Sequence, residues 1–225
     1  MVDALLAKIP LLLSAVYFAR SYCGKSPQPT PKKCEENKFK GLESPSMVLT
    51  FALESLQISL QYSRAHFRPV TSEHTSSSGR EVALTGAFVV GWLLLASGAL
   101  IRAMCYRHLG RFFTFELALR EGHQLVTTGP YAIVRHPAYT GSISALMGIA
   151  LMELGPGSYW IESLRLWSTP AGAVIGCLWL GTLTIIPVGV IARTAAEDEV
   201  LRTEFGTQWD SWAQRTKYRL VPGIF

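Results

Sequence analysis

Residues 171–192 read AGAVIGCLWLGTLTIIPVGVIA, an unbroken run without a charged side chain, and Arg193 follows directly. As a helix this stretch covers about 33 Å at 1.5 Å per residue, enough to cross the hydrocarbon core of a bilayer. It places the chain among integral membrane proteins. Val82–Ile101 is a second run of comparable strength. Three weaker stretches complete the pattern. They are Ala4–Ala19 with Lys8 inside it, Met47–Tyr62 with Glu54 and Gln57, and Tyr139–Leu154, which is short and ends at Glu153.

Composition agrees. The chain has 225 residues, 49% hydrophobic and only 16% charged, whereas a soluble domain carries roughly a quarter charged residues. The basic excess, a net charge of +5, is read as membrane orientation rather than as a nucleic-acid surface. Cys23, Cys34, Cys105 and Cys177 are widely spaced, with no CxxC pair and no histidine cluster at ligand spacing, so neither a metal site nor a disulfide framework is expected. The last residues, Pro222-Gly223-Ile224-Phe225, carry no prenylation signal. The first stretch has a weak basic flank and no clean small-x-small site, which favours a retained span over a cleaved signal peptide.

Charge placement tests the span count. If all five stretches cross, one side takes loop 20–46, loop 102–138 and the tail from 193, with sixteen Lys and Arg; the other side holds five. Cytosolic loops carry the basic excess. The expected architecture is therefore all-α, with about five transmembrane helices, the N-terminus outside and the C-terminus cytosolic. Residues 1–101 form a three-span region with cytosolic loop 20–46, and residues 102–225 a core of one loop, two spans and a C-terminal helix. Segments 24–46 and 69–80 read as linkers.

This topology puts two polar segments on one face. The first runs through Gly122-His123-Gln124-Leu125-Val126-Thr127-Thr128-Gly129-Pro130-Tyr131 to Arg135-His136-Pro137-Ala138-Tyr139-Thr140-Gly141. Pro137 suits the first turn of a helix, with His136 held extended before it. The N-terminus of that helix favours an anionic group, and His136, Tyr139 and Tyr131 flank it. The second segment begins Arg193-Thr194-Ala195-Ala196-Glu197-Asp198. Arg193 and Glu197, four apart, share a helix face, but Arg before Glu is the less favourable order, so a purely stabilising ion pair explains them poorly. Leu201, Phe205, Trp209 and Trp212 follow at helical spacing, predicting an amphipathic helix with its tryptophans anchored at headgroup depth. Glu54, an acid inside a span, is costly there and is left outside the candidate site.

Arg135-His136-Pro137-x-Tyr139-x-Gly141, the Gly122–Tyr131 loop and the later acid pair followed by Leu201-x-x-x-Phe205-Gly206 resemble the isoprenylcysteine carboxyl methyltransferases over about residues 110–222. The resemblance implies an S-adenosylmethionine-dependent enzyme of the endoplasmic reticulum membrane. Its cytosolic cofactor pocket is closed by the C-terminal amphipathic helix, and its acceptor is a farnesyl or geranylgeranyl cysteine. Matched motif by motif, cofactor contacts fall on His123, Gln124, Leu125, Val126, Tyr131, His136, Pro137, Ala138, Tyr139 and Glu197, and substrate contact and catalysis on Arg193. Glu116 occupies the place of a further cofactor-contacting side chain. The family's acid pair is usually two glutamates, and here it is Glu197-Asp198. Competing readings are a phospholipid N-methyltransferase, a sterol-type membrane reductase, against which the short chain counts, and a non-enzymatic membrane scaffold.

Overall fold

The computed structural model describes residues 2–18, 84–113, 122–162 and 165–225. Met47–Tyr62, Glu54, Glu116 and both linkers lie outside these. The described residues are helical, with no strand among them. We label the helices α1 (Val2–Phe18), α2 (Gly86–Leu109), α3 (Pro137–Leu154), α4 (Pro170–Phe205) and α5 (Thr207–Arg215). Two of them, α2 and α4, are long and apolar enough to cross a membrane, in keeping with a membrane protein.

The α2–α3 hairpin is the backbone of the fold, and glycine makes it tight. A Cβ at Gly91 would fall 2.7 Å from the Gly148 carbonyl oxygen, and one at Gly141 would fall 2.7 Å from that of Gly98. The heptad-spaced glycines on each helix therefore let the antiparallel backbones touch, as small residues do between membrane helices. Any side chain there would force the helices apart. Leu95, Ala145 and Ile149 fill the interface, and Leu12 and Ala15 of α1 and Trp179 and Leu183 of α4 close over it as one apolar cluster.

Three expectations need correction. Arg102 is not a loop residue: α2 runs on to Leu109, and Arg102 is buried within it. The helix of the fifth stretch does not stop with its apolar run at Ala192. Instead α4 continues as one 36-residue helix through Arg193 and Glu197 to Phe205, about 54 Å long and so longer than the roughly 30 Å core of a bilayer. Nor do Leu201 to Trp212 form one amphipathic helix. Gly206, at φ +51°, breaks it in a backbone region that only glycine enters cheaply, and α5 turns back. Trp209 and Trp212 are buried against Tyr131 and Cys105, not anchored at headgroup depth.

Lys8 and Glu153, the charges of the first and fourth apolar stretches, lie at the same end of the hairpin. Both are buried. Lys8 Nζ donates to the Gly157 carbonyl at 2.8 Å and lies within electrostatic reach of Glu153 and Glu162. Glu153 accepts from Trp160 Nε1.

Candidate functional site

The opposite end of the hairpin gathers the polar residues singled out in the sequence. Pro137 opens α3 with His136 as its N-cap residue, as expected from a proline at the first helical position. Asp198 of α4 is a hub. Its Oδ1 meets His136 Nε2 at 3.0 Å, and its Oδ2 accepts from Arg219 Nε at 3.0 Å and lies 3.5 Å from Arg135 Nη2. An acid that is 4% exposed needs such partners, because desolvating an unpaired carboxylate is prohibitive. Burial lowers the Arg135 pKa, with Asp198 opposing that shift. This is the role of the second acid: it fastens α4 to the start of α3 and to residue 219.

Glu197, one residue earlier, faces differently. Tyr139 Oη donates to its Oε2 at 2.8 Å, and His136 Nδ1 stands 3.9 Å from the same oxygen. Its side chain remains 30% exposed, so it keeps acceptor capacity for a ligand. The His136 and Tyr139 rings stack at 5.8 Å. Arg193, one turn earlier on α4, is buried and lies within electrostatic reach of Tyr139. Arg193, Glu197, Tyr139 and His136 therefore form one group.

Tyr131 sits in a single 3-10 turn, Gly129–Ala132. Burial, first of all, raises its phenol well above the usual range, and Glu197 and Cys105 add to the shift, so it serves as a neutral hydroxyl. Its carbonyl accepts from Trp212 Nε1 at 3.0 Å, which lays α5 across this turn. Leu125, Val126 and Ala138 line the same apolar cluster. The His123 ring meets Phe112 at 4.8 Å and Phe205 at 5.9 Å, while Gln124 is exposed. The segment 123–126 thus runs beside the end of α2 and the last turn of α4.

The start of α3 is less open to an anion than its dipole implies. The His136 carbonyl already accepts from the N–H groups of Tyr139 (3.1 Å) and Thr140 (3.2 Å), and the His136 N–H donates to the Arg219 carbonyl at 2.9 Å. Two further residues belong to this end. Arg219 carried no motif. Arg102 showed only as a charge beside an apolar run; its guanidinium donates to Ala138 O at 3.3 Å, Ser142 Oγ at 2.5 Å and Tyr106 Oη at 2.6 Å. A charged residue directly bordering a long apolar run was the available signal.

Comparison with known proteins bears on this arrangement. Residues 87–175 match the family model for phospholipid methyltransferase. The matched stretch takes in α2, α3 and the first residues of α4, and stops short of Arg193. Protein-S-isoprenylcysteine O-methyltransferase B of Arabidopsis thaliana is 28% identical over 127 residues, 56% of this chain and 54% of that protein. A protein of Oryza sativa subsp. indica named a probable protein-S-isoprenylcysteine O-methyltransferase is 27% identical over 128 residues, 56% of each chain. The A form from Arabidopsis is 32% identical over 79 residues, 34% of this chain and 40% of that protein. The chain thus matches about half the length of its first relatives.

Proposed function

We propose that this chain is a membrane methyltransferase that uses S-adenosylmethionine to esterify the carboxylate of a prenylated cysteine, on the cytosolic face of the endoplasmic reticulum membrane. The observation that carries the reading is the grouping of Arg193, Glu197 and Tyr139, an arginine and a partly open carboxylate one helical turn apart, just beyond the apolar run of α4. The names of the relatives agree with it.

The donor set fits the cofactor. Its ammonium calls for a carboxylate with free lone pairs, which Glu197 retains beside its bond from Tyr139. The neutral Tyr131 and the aromatic surfaces around His123 suit the rest of such a molecule, with Gln124, Leu125, Val126, Pro137 and Ala138 as further contacts. When bound, the cofactor supplies an electrophilic methyl group on sulfur. The chain's task is to bring the acceptor oxygen to it. A cysteine α-carboxylate is ionised near neutral pH, so no general base is required. Arg193 holds this carboxylate as a cation that cannot lose its proton and presents a fixed fork of donors. Orientation then supplies much of the rate. The prenyl chain lies in the bilayer beside α4, and the cofactor enters from water.

The family match favours a second reading, methylation of a phosphatidylethanolamine-type amine. An amine must lose a proton and gains nothing from Arg193. Methyl transfer to N-acetyl-farnesylcysteine and to phosphatidylethanolamine, measured side by side in membranes, decides the matter. Transfer to the thioether acid alone is expected, and transfer to the lipid alone would overturn the carboxylate reading.

A further inference from the structure

Beyond α5, residues 216–225 fold back as a strap along the start of α3. The N–H groups of Arg135 and His136 donate to the carbonyls of Tyr218 and Arg219, both at 2.9 Å, and Thr140 Oγ1 donates to Leu220 O at 2.7 Å. The strap closes on itself in a small loop, with the N–H groups of Leu220 and Val221 on Phe225 O at 2.8 and 2.9 Å. Leu220 is buried, but Val221 (42%), Ile224 (82%) and Phe225 (42%) stand exposed. A soluble surface seldom clusters apolar side chains at the tip of a tight loop.

Its height along the fold says what covers it. Thr140 belongs to the first turn of α3, where that helix leaves the polar end and starts toward its apolar length. The loop bonded to it sits at that same level. Ile133, 63% exposed, lies on the neighbouring turn. Arg215 and Lys217 are exposed just ahead of the loop, and residues 211–225 contain no acidic side chain. Apolar tips flanked by cations match the boundary between acyl chains and anionic headgroups.

We propose that the 218–225 loop is a lipid-contacting wedge. Val221, Ile224 and Phe225 enter the cytosolic leaflet, and Arg215 and Lys217 take anionic headgroups. Arg219, in the same loop, holds Asp198, so the wedge ties the membrane surface to the polar end of the hairpin. The proposal depends on α2 and α4 crossing the bilayer and is independent of the reaction catalysed.

The test is a nitroxide at Ile224→Cys in the full chain, with Cys23, Cys34 and Cys177 replaced by serine, in nanodiscs of phosphatidylcholine with or without phosphatidylserine. Controls carry the label at Ile185, exposed midway along α4, and at Glu204, exposed near its end. The Ile224 label should be reached by oxygen more readily than by a water-soluble nickel chelate, as at Ile185 and opposite to Glu204. Phosphatidylserine should deepen it. Arg215→Gln and Lys217→Gln should together remove that shift, each cation giving about a fivefold preference for anionic lipid. A label at Ile224 that behaves as at Glu204, with Ile185 in lipid, overturns the wedge alone. If Ile185 also reports water, the membrane reading falls with it. A label shielded from both reagents and indifferent to lipid assigns the loop to a protein contact and also overturns the proposal.

Discussion

The two ends of the α2–α3 hairpin are both charged, and they differ in how completely the charges are used. At one end Lys8 and Glu153 are 3% and 1% exposed, bonded to Gly157 and Trp160 with Glu162 close by. At the other, Asp198 is equally enclosed by His136, Arg135 and Arg219, but Glu197 beside it stays 30% exposed with one oxygen on Tyr139. A buried charge is therefore no mark of a site by itself. The first end is a clasp that holds α1 to the α3–α4 turn, and the second combines a clasp with an acid left open. What separates them is the spare acceptor capacity of Glu197.

The contrast can be broken by substitution. The largest effect is expected for Lys8→Met, which leaves Glu153 without its cation and should cost about 3–5 kcal/mol in stability. Thermal unfolding in detergent reads this, and methyl transfer per folded molecule should stay unchanged; a specific loss of transfer would make the Lys8 end part of the site. Arg193→Ala should lower kcat about 100-fold or more, the scale for removing one donor aimed at reacting charge, while calorimetry finds cofactor affinity nearly intact. Equal loss of both would mean that Arg193 binds cofactor instead. Asp198→Asn weakens three charge-assisted contacts and should cost about 2 kcal/mol. Hydrogen exchange should then rise first at Tyr218–Leu220, and a change spread evenly over the chain would refute the clasp. The smallest effect is on Glu197→Gln, which keeps an acceptor for Tyr139. Stability should hold while cofactor affinity falls about tenfold, or about 1.4 kcal/mol, and normal affinity would remove Glu197 from the ammonium site.

Much of this was legible locally. Pro137 marked the start of α3, and the four-residue spacing put Arg193 and Glu197 on one face, since both signals act within a helical turn. Gly206 was legible too, because a glycine after a helix is a stop signal. The regular spacing of Leu201, Phe205, Trp209 and Trp212 conceals it, because the same period suits one continuous helix with both tryptophans on its apolar face. Arg219 had no local signal at all, because its partner lies 21 residues away on another element.

The membrane-length helices and their polar ends can be read from short stretches of the chain. Those follow from hydropathy, helical period and side-chain chemistry, which are properties of short stretches. Long-range packing sets which acid is spent and which is open, that Arg102 lies inside the hairpin, and that Lys8 finds Gly157 across 149 residues of chain. Such pairings depend on how closely helices approach, and here the facing glycines of α2 and α3 set that distance.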